Sequence, residues 1–353
     1  MLYFVFFAGG LILSLICNEL LLRFSQSLGI RNKNDVIVRW SNQSKPSLGG
    51  VSFYVVFVFS TFAFEIIAEE SNIFKNLEYI GFLTGTTLAF FMGLADDAYN
   101  TKPFLKLAAQ ILCGVTLALT GSVVTITNVP YIDGFLTVIW VVALMNSLNM
   151  LDNMDGITAT TSLFILISCL GSFLAFSNLD SSIWPVYMIA IIGALIGFLR
   201  FNIHPAKIFM GDAGSQFIGF VLAFFSIKTL WNLGETVQNH SWIGVVVALL
   251  AFTPAAIDSI TVTINRLKKG KSPMVGGKDH TTHHLVYAGY NDSQVWYVFL
   301  LLGFLSTLFS FIAFYFISVK RIYFILPLLL FFFVSFWLLY RNTIRYKQPP
   351  KSK

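Results

Sequence analysis

The chain has 353 residues, 56% hydrophobic and 11% charged, with a net charge of +6 and a mean hydropathy of +0.75. Soluble chains carry roughly 25% charged residues, so this composition excludes an ordinary water-soluble domain. The three cysteines, Cys17, Cys113 and Cys169, all fall inside apolar runs, which excludes a disulfide framework and a zinc site built on thiolates.

Apolar runs of about 17–25 residues recur along the whole length, each long enough to cross a bilayer as a helix. Eleven are read, at about 2–22, 48–68, 79–95, 104–121, 133–149, 157–177, 183–199, 214–231, 242–264, 294–317 and 322–340. They are continuous rather than alternating, which speaks against a β-barrel. Of the 23 Lys and Arg, nineteen lie in one alternate set of connecting segments; the other set holds only Lys75, Lys228, Lys320 and Arg321. The positive-inside rule then puts the basic set in the cytoplasm, the N-terminus outside and the C-terminus inside. The positive charge is thereby topological and implies no nucleic-acid partner. The fold expected is an all-α polytopic membrane protein with residues 1–353 as one domain, since neither a repeat nor a linker is visible. The first run lacks a basic leader and a small-residue cleavage site, so it is read as a retained helix.

Polar residues concentrate in five segments on the basic side, at about 23–47, 96–106, 146–157, 200–213 and 265–292. The first ends in Lys45-Pro46-Ser47-Leu48-Gly49-Gly50, a rigid turn with an open backbone from which Lys45 could reach a phosphate. The third run ends in Asp96-Asp97. Two adjacent acids at a membrane boundary are costly unless solvated, metal-bound or hydrogen-bonded. Neighbouring carboxylates repel when both are ionised, so one of them can exchange a proton near neutrality. Lys106 and Gln110 follow, one helical turn apart on one face of the fourth run.

The fifth run ends in Asn146-Ser-Leu-Asn149-Met-Leu-Asp152-Asn153-Met-Asp155-Gly156. Asn146, Asn149 and Asn153 fall on one helical stripe with Asp152 beside them. Caps alone do not require so many amides and acids, and such a stripe suits a nucleotide base or Mg²⁺. The segment from Asn202 to Ser215 reads Asn-Ile-His-Pro-Ala-Lys-Ile-Phe-Met-Gly-Asp-Ala-Gly-Ser. Pro205 interrupts the helix, and Asp212 stands where the next one starts, a place suited to a divalent metal and the phosphate it carries. The ninth run holds Asp258 and leads into Gly276-Gly277-Lys278-Asp279-His280-Thr-Thr-His283-His284, with three of the five histidines. Basic side chains beside a glycine pair suit an anion. A zinc site is less apt, because lysines surround the histidines and no cysteine is near.

Carboxylates and lysines on one membrane face suit Mg²⁺-assisted phosphoryl transfer, with a lipid phosphate as nucleophile and a soluble nucleotide as donor. The Met92–Asp97, Asn149–Gly156 and Asn202–Ser215 motifs and the histidine segment occur in that order. Together they resemble the polyprenyl-phosphate N-acetylhexosamine-1-phosphate transferases (WecA/MraY type), over a stretch from Lys45 to about Tyr287. The resemblance implies ten or eleven helices, Mg²⁺ dependence (Mn²⁺ as a substitute) and transfer of a sugar 1-phosphate from a UDP-sugar to undecaprenyl phosphate, releasing UMP. It implies a multi-pass protein of the bacterial inner membrane whose active site faces the cytoplasm, and it is compatible with a homodimer.

Carried over by motif, Asp96 and Asp97 would handle the lipid phosphate, with Asp96 as the base. Asp212 would be the main Mg²⁺ ligand, with Asn149 or Asp152 nearby. Asn202 and Lys106 would contact the diphosphate, Asn153, Asp155, Asp279 and His280 would line the substrate site, and His283 and His284 would form the closing histidine pair. The common pattern there is His-x-His-His, whereas here Thr281 takes the first place and His280 lies one residue earlier. The peptidoglycan-precursor branch, which takes a muramyl pentapeptide donor, typically has a His triplet and a Leu-Thr-Asp-Gly motif. Neither is present, so an N-acetylhexosamine donor is expected. A secondary transporter is the competing class, but transporters place ionisable groups near mid-bilayer and often carry inverted repeats. Most acids here lie at run ends.

Overall fold

A computed structural model of the protein describes residues 1–24, 45–67, 73–177, 183–234, 240–272 and 276–347. The basic segment 25–44 and the tail end 348–353 lie outside the described residues. Helices dominate, and no strand occurs among the described residues. In chain order they are α1 (Leu2–Phe24), α2 (Gly50–Ile67), α3 (Leu77–Tyr99), α4 (Pro103–Leu119), α5 (Pro130–Leu151), α6 (Ile157–Phe176) and α7 (Trp184–Asn202). There follow α8 (Gly211–Ser226), α9 (Trp242–Ala251), α10 (Thr253–Lys268), α11 (Thr281–Tyr287), α12 (Asp292–Ser318) and α13 (Leu329–Arg345).

Nine helical segments among the described residues are long and apolar enough to cross a membrane. Two of the expected spans differ. The fourth, α4, has 17 residues and is shorter than the rest. The ninth is broken, with α9 and α10 meeting at an 86° bend. Pro254 sits in the first turn of α10, where its missing N–H costs nothing but where a straight continuation of α9 is lost. The long polar segment also contains an unexpected short helix, α11, which carries His283 and His284.

The bundle is built around α8. In an 18-residue window of its span, Gly211–Trp231, 94% of the residues are buried, against 22% for the corresponding window of α1 at the periphery. Apolar residues ring α8 on all sides, as suits a helix surrounded by others. Phe217, Phe220 and Phe224 pack against Phe53, Phe57 and Phe82, with Phe82 and Phe224 stacked at 4.3 Å. The consequence for function is positional: Asp212, in the first turn of α8, lies at the end of the best-supported helix in the molecule.

Candidate active site

Four helix ends meet at Asp212. The closest approach is made by α3, where Gly93 lies so near that an added Cβ would stand 2.3 Å from the Asp212 carbonyl oxygen. Gly211 has φ +74° and is flanked by the Ser47 carbonyl and the Asp97 carboxylate, a conformation and a clearance that other residues do not supply. Asp97 Oδ2 accepts from the Ala213 amide at 2.9 Å, so α3 caps the open N-terminus of α8. The turn carrying Lys45 is laced to the same place. Gly49 N donates to Phe209 O at 3.0 Å and Gly50 N to Met210 O at 2.9 Å, while Lys45 Nζ lies over the Phe209 ring at 5.3 Å.

Lys106, from the first turn of α4, is the hub. Its Nζ donates to Asp96 Oδ2 at 3.0 Å, Asn149 Oδ1 at 3.1 Å and Asp212 Oδ2 at 2.9 Å. One ammonium thus uses all three protons on oxygens from three other helices. Asn149 returns a bond from Nδ2 to Asp212 Oδ1 at 2.7 Å and another to Ser215 Oγ at 3.0 Å. Asp96 Oδ1 is held by the Thr101 amide at 2.8 Å and its hydroxyl at 2.6 Å. Both oxygens of the expected base are therefore engaged in this state.

The donor set suits Mg²⁺. Two carboxylates and an amide oxygen, all hard ligands, converge where a cation already sits, and Mg²⁺ is commonly held by one or two carboxylates together with water and substrate phosphates. Among the described residues, no three His, Cys, Asp or Glu side chains gather as a metal site.

The remaining expected residues form a second cluster. Asp155 Oδ2 accepts from the Ala206 amide at 2.9 Å and from His204 Nδ1 at 3.0 Å, tying the turn after α5 to the hairpin before α8. Asn202 is buried; its amide donates to Ile208 O at 2.9 Å and accepts from Gly156 N at 3.1 Å, which makes it a brace between these loops. The expected stripe is shorter than it looked. α5 ends at Leu151 with Asp152 as its C-cap, so Asn146 and Asn149 share the helix while Asn153 lies beyond it. There Asn153 accepts from Thr282 Oγ1 at 2.6 Å and links the turn to α11.

The histidines turn inward. His280 Nδ1 pairs with Asp258 Oδ2 at 2.9 Å, and the other Asp258 oxygen accepts from the Thr281 amide at 2.8 Å and hydroxyl at 2.6 Å. His284 Nδ1 bonds Tyr346 O. Asp279 is gripped by Arg266 through two bonds, at 2.9 and 2.7 Å. Burial opposes the charge on Asp279, but the guanidinium prevails and holds the carboxyl below its usual range. Burial, assisted by the neighbouring His280, pushes His283 down to about 3, and it pushes His284 down as well. In both rings burial favours the neutral form.

Sequence reasoning missed Ser215, Thr101, Gln216 and His204. Gln216 was accessible by the same four-residue spacing from Asp212 that pairs Gln110 with Lys106. His204 and Thr101 carried no comparable signal.

The model of the family described as glycosyl transferase family 4 matches residues 79–230, which include Asp96, Asp97, Lys106, Asn149 and Asp212. Over 272 residues, 74% of this chain and 72% of the relative, the sequence is 25% identical to the "Probable undecaprenyl-phosphate N-acetylglucosaminyl 1-phosphate transferase" of Bacillus subtilis (strain 168). It is 27% identical over 266 residues to the undecaprenyl-phosphate alpha-N-acetylglucosaminyl 1-phosphate transferase of Escherichia coli (strain K12), covering 70% of this chain and 67% of the relative. The decaprenyl-phosphate N-acetylglucosaminephosphotransferase of Mycolicibacterium smegmatis is 27% identical over 300 residues, 76% of this chain and 73% of the relative. Over residues 79–230 the chain is similar to glycosyl transferase family 4. The matched stretch holds the whole Lys106 hub, whereas Lys45 and the histidine helix lie outside it.

Proposed function

We propose that the protein transfers N-acetylhexosamine 1-phosphate from a UDP-sugar to undecaprenyl phosphate and releases UMP, as the first membrane step of a cell-envelope polysaccharide. The observation that carries this is the convergence of Asp96, Asn149 and Asp212 on Lys106 Nζ at one end of the bundle. The relatives are named for N-acetylglucosaminyl 1-phosphate transfer to polyprenyl phosphates, which supports UDP-N-acetylglucosamine as the first donor to try.

In the reaction an oxygen of the lipid phosphate attacks the β-phosphorus of the donor. The bond from that phosphorus to the bridging oxygen breaks, and UMP leaves with the electron pair. Mg²⁺, or Mn²⁺ in its place, would be held by Asp212 and Asn149, with Asp152 at the adjoining helix end, and would neutralise charge on the transferred group. Lys106 binds the donor diphosphate, whose oxygens compete with Asp96 and Asp212 for its protons. Asp96, once released by Lys106, is free to take a proton from the acceptor phosphate, while Asp97 holds the start of α8 in place. Placing these groups at a helix-bundle end lets the acceptor's chain stay among lipids. The concentration of Lys and Arg in the segments at this end supports a cytoplasmic active site, and a homodimer is compatible with the lipid-facing helices.

A panel of UDP-sugars, supplied to the detergent-solubilised protein with undecaprenyl phosphate and Mg²⁺, tests the reading. Lipid-linked product from a UDP-N-acetylhexosamine is expected. Turnover of the muramyl pentapeptide donor alone would move the protein to peptidoglycan synthesis.

A further inference from the structure

One helical turn below the hub lies a second polar layer inside the bundle. Gln110 follows Lys106 by four residues on α4, Gln216 follows Asp212 by four on α8, and Asn146 precedes Asn149 by three on α5. Lys106, Asp212 and Asn149 thus each have an amide beneath them on their own helix, about 4.5–6 Å deeper at the rise of an α-helix. Gln110 and Gln216 are 1% and 0% exposed.

The three amides bond to one another. Asn146 Nδ2 donates to Gln110 Oε1 at 2.7 Å, and Gln110 Nε2 donates to Asn146 Oδ1 at 3.3 Å and to Gln216 Oε1 at 3.0 Å. The outer bonds run to backbone: Asn146 Nδ2 reaches Val142 O at 2.8 Å and Gln216 Nε2 reaches Met145 O at 3.4 Å. α5 and α8 come close enough for the latter because Gly219 faces the Met145 backbone, where an added Cβ would stand 2.8 Å from Met145 Cα.

Apolar side chains would fill this space without the desolvation penalty of three amides. What they would not supply is direction. A reciprocal amide pair fixes both the rotation and the axial register of α4 on α5, and the bond to Gln216 fixes α8 against them. Interhelical hydrogen bonds in membranes contribute little to stability on average, so the geometry is the larger return.

We propose that Gln110, Asn146 and Gln216 are positioning residues, an intramembrane register lock that keeps Lys106 Nζ within reach of Asn149 and Asp212. The lock rests on the transferase reading only for its catalytic consequence; its effect on Lys106 is read without turnover. Misplacing a reacting group by about 1 Å costs about 100-fold in rate.

The test compares wild type with the triple variant Gln110→Leu/Asn146→Leu/Gln216→Leu, which removes donors and acceptors together and leaves none stranded. Amine labelling of Lys106, read by mass spectrometry on the resting protein, is expected to rise several-fold at unchanged melting temperature. With a UDP-N-acetylhexosamine, kcat is expected to fall about 30-fold or more while the donor KM stays within about two-fold. Gln216→Glu, which keeps the oxygen that accepts from Gln110, is expected to retain wild-type protection of Lys106. If the triple variant fails to insert, Gln216→Leu alone carries the same readouts. Wild-type labelling and kcat in the variant would overturn the lock, as would a loss of activity that only tracks a loss of folded protein. A wild type inactive with every UDP-sugar, but with Lys106 protected in it and exposed in the variant, would refute the transfer reaction and leave the lock standing.

Discussion

Lys106→Met is the sharpest perturbation the site offers. The ammonium separates Asp96 and Asp212, each about 3 Å from it, so the two carboxylates lie within about 6 Å of each other. At that distance two unit charges repel by roughly 3 kcal/mol at an effective dielectric of about 20. Asp212, with 31% of its side chain exposed, is partly relieved by water, whereas Asp96 at 12% is less so. The expected loss of stability is about 2 kcal/mol, since the oxygens left behind must find water or one another. Turnover depends more steeply on the same cation, because it faces charge on the transferred group. Removing one such donor costs about 10²–10³ in kcat. Lys106→Arg is expected to restore little, since a planar guanidinium cannot aim one nitrogen at three oxygens. Initial rates of UMP release, beside melting curves in detergent, measure both effects. A Lys106→Met protein within three-fold of wild-type kcat/KM would refute the reasoning that makes this lysine the hub.

Other outcomes follow from the same contacts. Gly93→Ala pushes α3 off Asp212; a stability loss of about 1–3 kcal/mol with near-complete loss of turnover is expected, measured by thermal melting and UMP release. Asp258→Ala strands His280 and both Thr281 donors in a buried place and is expected to cost about 3–5 kcal/mol, seen as lowered melting temperature and faster proteolysis near residues 276–280. His283, held down at about 3 by burial, contributes stability that is full above its ordinary value near 6.5 and is lost as pH falls toward 3. Melting temperatures between pH 7 and 4 should therefore fall more steeply in wild type than in His283→Gln. Removing divalent ions by chelation is expected to abolish turnover, and adding Mg²⁺ or Mn²⁺ back to restore it.

Much of this architecture was legible in the sequence because membrane helices announce themselves by length and apolar content. Asp96, Asn149 and Asp212 were visible for the related reason that polar residues at the ends of apolar runs are conspicuous. The bend between α9 and α10 was not, because Pro254 sits inside an unbroken apolar run whose length alone reads as one span. The orientation of the histidine segment was not legible either. Lysines and glycines around it suggested open contact with phosphate, yet Asp258 and the Tyr346 carbonyl, distant in the chain, draw two of the rings inward. Gln216 carried a spacing signal, four residues after Asp212, but only its bond to Gln110 on α4 gives that spacing meaning.

The fate of the donor's two phosphorus atoms tests the central claim most directly. UDP-N-acetylglucosamine labelled in the β-phosphate, incubated with undecaprenyl phosphate, Mg²⁺ and the purified protein, is expected to put the label into the lipid fraction and leave UMP in equal amount. Label retained on released UDP would mean that the sugar moves without its phosphate, and the account of this site would be contradicted.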